Sequence, residues 1–180
     1  MEGFPWTWKR HPGNPVLPAV PGTWRESQTA NPDIALYDGV YHLYFRGQEG
    51  GHDRIGLATI PEEKFDGVTW EIDPEPIIDV GSTGDWDDTH VLDPAAVRVG
   101  ETVFLYYAAV GPRCPRSVCL AVSPDGKRFR KHPGNPVMIG GCPEIVHDGR
   151  TFHLYFWKDR PGGGFEIHHA VSEDGFVFRE

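Results

Sequence analysis

Cysteine is scarce in this chain. The three present in 180 residues, Cys114, Cys119 and Cys142, are an odd number without metal-site spacing, so they read as reduced thiols in a cytoplasmic protein rather than as a disulfide framework. The nine histidines are scattered, with no His-Glu-x-x-His or similar ligand pair, so no metal site is expected. Positive charge is also short. Seventeen Lys and Arg face 26 Asp and Glu, a formal net charge of −9, which argues against nucleic acid and anionic membranes as partners. No window approaches about 18 continuous apolar residues, so no membrane span is expected. Met1 to Arg10 lacks a basic start followed by a long apolar run and does not read as a secretory signal. Long stretches of 3.6-residue periodicity are missing as well, and no segment has the composition of a disordered region.

What is present is an ordinary globular composition, 39% hydrophobic and 24% charged, in a chain long enough for one domain with a real core. Seventeen Pro and 22 Gly are spread throughout, separating short alternating runs, which is an all-β pattern. An internal repeat organises these runs. His11-Pro12-Gly13-Asn14-Pro15-Val16 recurs as His132-Pro133-Gly134-Asn135-Pro136-Val137. A longer unit begins at Asn31-Pro32-Asp33, at Asp93-Pro94-Ala95 and at Cys142-Pro143-Glu144. Each start leads into an apolar strand, then an aromatic strand (Tyr41 to Phe45, Val103 to Tyr107, Phe152 to Trp157), then a third strand. Asp66-Gly67, Asp125-Gly126 and Asp174-Gly175 then lead to a fourth, and Asp-Gly between alternating runs is a hairpin signal.

Four antiparallel strands per unit, repeated, predict a β-propeller of about three blades, spanning roughly residues 29–80, 91–139 and 141–180 of a single domain, 1–180. Residues 1–20 are expected to form the outer strand of a neighbouring blade. A repeated sandwich is the structural alternative. Closed propellers have at least four blades, so three should leave open edges that invite pairing with another chain. The expectation is a truncated relative of a larger propeller, or a homo-oligomer that covers its open blade edges.

The innermost strand of each blade lines a propeller's central channel, so the unit starts are where chemistry is expected. Carboxylates sit there in all three units: Asp33, Asp93 and Glu144. Regular strand alternation would put Asn31 and Asp33 on one face. Converging carboxylates suit glycoside hydrolysis, in which one protonates the leaving oxygen and another activates water or attacks carbon. The bland alternative is that Asp beside Pro caps a turn. Trp24 and Trp86 each precede a unit start by seven residues and either stack on a sugar face or anchor the inter-blade loop. His90 either donates to a sugar hydroxyl or is structural. Arg46 either holds a nearby carboxylate in its charged form or is simply solvated.

The segments Asn31 to Phe45, Leu92 to Val97 and Cys142 to Gly149, with the Val122-Ser123-Pro124-Asp125-Gly126 turn, resemble blades of the five-bladed β-propeller glycosidase superfamily, glycoside hydrolase families 43, 32 and 130. The resemblance implies a partial five-bladed propeller and an oligosaccharide substrate, furanosidic or β-linked, with no nucleotide or organic cofactor. It also implies a catalytic Asp in an Asp-Pro, a tuning Asp-Pro and an acid in a Glu-x-Pro. Asp93 fits an Asp-Pro directly. The first Asp-Pro slot reads Asn31-Pro32, and the Glu-x-Pro slot reads Gly141-Cys142-Pro143. With Asp33 and Glu144 substituting across each Pro, Asp93 becomes the ionised partner, Glu144 the proton donor and Asp33 the base, with Asn31, Trp86, His90, Arg46 and Trp24 binding substrate. The replacements also suit a non-catalytic carbohydrate-binding propeller, or an inactive fragment of a larger propeller enzyme.

Overall fold

The computed structural model describes residues 7–180, so the opening residues of the Met1 to Arg10 stretch lie outside it. Three antiparallel units follow in chain order. The first holds β1 (Gln28–Tyr37), β2 (Val40–Glu49), β3 (His52–Pro61) and the short β4 (Glu71–Ile72). The second holds β5 (His90–Val99), β6 (Thr102–Gly111), β7 (Cys114–Ser123), β8 (Arg130–Lys131) and β9 (Met138–Ile139). The third holds β10 (Gly141–His147), β11 (Phe152–Asp159) and β12 (Phe165–Ser172). Each unit pairs its strands in sequence order, as a propeller blade does. A single parallel residue pair, Asp53 with His90, links the sheets of the first two. The blades do not close into a ring, and the fold is a partial five-bladed propeller. Among the described residues no helix is long and apolar enough to cross a membrane.

Local chemistry explains the strands. Alternate side chains point to opposite faces, so His42, Tyr44 and Arg46 of β2 face one way and Leu43 and Phe45 the other. The β1–β2 hairpin turns at Asp38-Gly39, which take φ of 53° and 69°. Positive φ at both central residues gives the twist that a two-residue hairpin needs, and Asp-Gly tolerates it.

The Asp-Gly turns do join antiparallel neighbours, β3 with β4, β7 with β8, and β12 with Arg179, but not through tight two-residue turns. Asp66, Asp125 and Asp174 each use Oδ1 to accept backbone N–H groups two and three residues on. The result is a longer, side-chain-capped turn before the outer strand. That fourth strand is also shorter than the alternation suggests. In the second blade it breaks into β8 and β9, because the intervening His-Pro-Gly-Asn-Pro segment has prolines that cannot donate to a ladder. Asn135 bridges the gap: its side chain accepts from Leu120 N (2.8 Å) and donates to Leu120 O (3.0 Å).

The core lies between blades. Tyr44, Ile55 and Leu57 of the first pack against Val91, Leu105 and Tyr107 of the second. Phe104, Tyr106 and Leu120 of the second pack against Ile145, Leu154 and Phe156 of the third. A polar latch repeats at both boundaries. Tyr44 donates to Gly126 O (2.9 Å) and Tyr106 to Gly175 O (2.7 Å), each reaching the next blade's Asp-Gly turn. Phe129 and Phe178 meet these tyrosines edge-on. The first copy of the repeated motif lies against the outer side of the first blade, where Leu17 packs on Leu43 and Phe45.

Candidate functional site

Each unit start is a β-bulge. Pairing skips between Ala30 and Asp33, between Leu92 and Ala95, and between Gly141 and Glu144. Asn31, Asp93 and Cys142 take left-handed φ values of 50°, 51° and 46°. Non-glycine residues in this region are uncommon, with Asn and Asp the most tolerant, so three equivalent occurrences mark one backbone device used three times. The bulge breaks the two-residue alternation, so the side chains at each start are aimed by the bulge and not by a regular pleat.

The three carboxylates have distinct surroundings. Asp33 reaches across to the second blade, where its Oδ2 accepts the Ala96 N–H at 2.7 Å. Burial pushes its carboxyl up to about 6, opposed by the Ala96 hydrogen bond and reinforced by the Glu144 charge from the third blade. Asp93 Oδ2 accepts from the Cys142 thiol at 3.1 Å, joining the second and third blades. Burial raises that thiol above its ordinary range. Glu144 is exposed. Asp33 and Glu144 therefore sense each other electrostatically, while Asp93 meets the bulge residue of the following blade.

Beside Asn31 stands a second polar group. Arg46 pairs with Ala30 in the β1–β2 register, and its Nε lies 3.5 Å from Asp53 Oδ1. His90 Nδ1 lies 2.9 Å from Asp53 Oδ2, and Gln48 donates to Asp53 Oδ1 at 3.1 Å. Asp53 is buried, so Arg46 and His90 are organised around one desolvated carboxylate. The one usable sequence signal for this cluster is that Asp53, between His52 and Arg54, opens a strand whose centre, Ile55 to Ala58, is apolar.

The two tryptophans part ways. Trp24 lies flat on the first blade, and a Cβ added at Gly47 or Gly56 would come within 2.2 Å of its ring. Its Nε1 donates to Pro74 O at 2.8 Å, the geometry of a loop anchor. Trp86 is half-buried against the first inter-blade core, with the Arg113 guanidinium 5.8 Å from its ring centre. Among the described residues no group of three or more His, Cys, Asp or Glu side chains could hold a metal ion.

No family model matches the sequence. The uncharacterized proteins Rv1502 and MT1551 of two Mycobacterium tuberculosis strains are each 27% identical over 174 residues, covering 84% of this chain. The chain spans 57% of their length. Among solved structures, Zg3597, a family 117 glycoside hydrolase of the marine bacterium Zobellia galactanivorans, superposes with a TM-score of 0.76 at 23% identity, over 89% of this chain and 47% of that one. A glycosyl hydrolase from Bacteroides ovatus gives 0.74 at 17%, over 94% and 56%. A structure from the GH130 family of mannoside phosphorylases, which contains glycoside hydrolases targeting β-1,2-mannosidic linkages in Candida mannan, gives 0.74 at 17%, over 94% and 56%. In fold, the chain is a three-blade part of the five-bladed propeller that these glycoside hydrolases share.

Proposed function

We propose that the bulged strand starts form part of a glycosidase-like site for an oligosaccharide with a furanosidic or β-linked bond. The observation that carries this reading is Asp33, whose Oδ2 is held by the Ala96 N–H across the blade boundary and whose carboxyl is raised by burial and by the charge of Glu144 from the third blade. A carboxyl at about 6, raised by burial and by a charged neighbour, holds a proton nearer neutrality than an ordinary carboxylate does and suits the general acid. In hydrolysis, and in the reverse of the roles expected from the resemblance, Asp33 gives its proton to the leaving glycosidic oxygen as the bond from that oxygen to the anomeric carbon breaks. Water bonds to the same carbon and loses its proton to Glu144. Asp93 stabilises the developing positive charge on the sugar. Asn31, with Arg46 and His90 held by Asp53, binds sugar hydroxyls at the mouth, and Trp86 supplies an aromatic wall.

The test is turnover of aryl furanosides, xylosides and β-mannosides, with and without phosphate, by the wild-type chain and by Asp93→Asn. Turnover lost in the variant supports the reading, and phosphate dependence selects phosphorolysis. Folded protein inactive on every substrate overturns it.

A second reading is a carbohydrate-binding propeller without catalysis. It is favoured by Asn31 and Cys142, which occupy two of the three bulge positions with non-acidic side chains. Calorimetric binding of an oligosaccharide that survives Glu144→Gln, with no turnover by either protein, selects it.

A further inference from the structure

The bulge residues of the second and third blades meet. Asp93 and Cys142 hold equivalent positions, and the Cys142 thiol donates to Asp93 Oδ2 at 3.1 Å. The contact is not automatic to the repeat. Asn31 and Asp93, the same two positions one blade earlier, make no hydrogen bond with each other among the described residues. Cys142 also sits where its backbone is unfavourable. Asn and Asp tolerate the left-handed region because their side chains can hydrogen-bond locally. Cysteine has no such compensation, yet it takes a φ of 46°. A residue held in such a conformation points to what its side chain does there.

The surroundings hold the thiol in place and in its protonated form. Gly141 pairs with Trp157 in the β10–β11 register, and a Cβ added at Gly141 would come within 3.0 Å of the indole. The glycine therefore lets the ring lie close against the strand just before Cys142. The Arg116 guanidinium lies 4.7 Å from the centre of that ring. Burial pushes the Cys142 thiol up and its contact with Trp157 opposes this; the hydrogen bond to Asp93 and the Asp93 charge push it up further, against the Arg116 charge. The net direction is upward, so at neutral pH the sulfur carries the proton that the bond needs. A thiolate at this place would face Asp93 as a like charge.

We infer that Cys142 is a positioning residue for Asp93. Its thiol occupies Oδ2 and fixes the rotation of the carboxylate, so that Oδ1, which has no hydrogen bond among the described residues, is the oxygen presented to the sugar. The inference rests on the proposed function in taking Asp93 as the group that faces the developing charge on the sugar. A carboxylate free to turn spends part of its time with neither oxygen aimed, whereas one held in advance needs no reorganisation when that charge develops. A thiol is a weak donor, which suits the task. It orients Asp93 and withdraws little of the negative charge that stabilises the sugar.

The experiment is alkylation of the full chain by iodoacetamide, with Cys142 followed by peptide mass spectrometry so that Cys114 and Cys119 do not contribute. Alkylation consumes the thiolate, so in the wild type the Cys142 rate should rise at higher pH than for a free cysteine. Asp93→Asn removes the charge and keeps an acceptor. In that variant Cys142 should react about three- to tenfold faster at about pH 8. An unchanged rate overturns the proposal. The second readout is turnover of an aryl glycoside that the wild-type chain cleaves. Cys142→Ala should lower kcat by about two- to tenfold with KM nearly unchanged, and Cys142→Ser, which keeps a donor, should recover most of the loss. Both variants keep a Cβ and so the same backbone constraint, and circular dichroism should not change. Cys142→Ala as active as wild type overturns the proposal, as does Cys142→Ser no better than Cys142→Ala. A wild-type chain that cleaves nothing counts against the glycosidase reading, and the Cys142–Asp93 pairing then stands or falls on the alkylation rates.

Discussion

The Asp33 carboxylate of the first blade and the Ala96 amide of the second meet at 2.7 Å across a blade boundary. One side chain of the first blade therefore belongs to the inter-blade joint, and its protonation is tied to folding.

The folded state raises Asp33 from 3.8 to about 6. A raised carboxyl contributes stability that is complete below its unfolded value and is lost as pH rises through the folded value. Replacing Asp33 with Asn removes that titration while keeping an oxygen for Ala96. The variant should be more stable than wild type at pH 8 by on the order of 2 kcal/mol, and no more stable at pH 3.5. Urea unfolding at both pH values checks this; a difference that does not change with pH would refute it.

Asp53 anchors Arg46, His90 and Gln48 from a buried position. Removing the carboxylate leaves a guanidinium in a desolvated site without its counter-charge, which costs more than the pair itself is worth. Asp53→Ala should lose about 3 kcal/mol of unfolding free energy, and an Arg46→Met change should recover part of it. A double-mutant cycle measures the coupling, and additive losses would show that the two groups act independently.

The sequence made the blades legible because each carried its own punctuation. Aromatic runs of period two gave the strands, Asp-Gly gave the turns, and the repeated His-Pro-Gly-Asn-Pro-Val located equivalent positions. Two things were hidden. The bulge at Asn31, Asp93 and Cys142 inserts residues into one strand but not its partner, so counting by two through Pro32 fails to give the side-chain direction. The Asp53 cluster is assembled from residues on β2, β3 and β5, and its burial comes from the second blade closing over the first. Charge in a sequence reads as solvated until tertiary packing removes the solvent.

Gly56 is small because Trp24 needs the room. Its Cβ would stand 2.2 Å from the indole, so Gly56→Ala must displace the ring and strain its bond to Pro74. A loss of about 1–3 kcal/mol is expected, with a shift in tryptophan emission. In a Trp24→Leu background the same substitution should cost much less. Equal costs in both backgrounds would mean that Trp24 is not what the glycine accommodates.

Tyr106→Phe leaves the buried Gly175 carbonyl without its donor and should destabilise by about 1–2 kcal/mol. Tyr155→Phe, whose hydroxyl makes no hydrogen bond among the described residues, should be neutral within ~0.5 kcal/mol. Thermal unfolding of the pair compares one tyrosine position in two settings, and similar losses would contradict the latch.

The left-handed bulge carries one further consequence. Three blades hold the same backbone shape at that position while displaying an amide, a carboxylate and a thiol. The scaffold thus works as a mounting whose fitting can be exchanged: Asn31→Asp or Cys142→Asp changes what is offered to a ligand without asking the main chain for anything new. A β-branched residue at the same place would have to be forced into a conformation it resists. Variation in chemistry here is easy and variation in shape is not, so a propeller of this kind can change the side chains it displays faster than it can change its form.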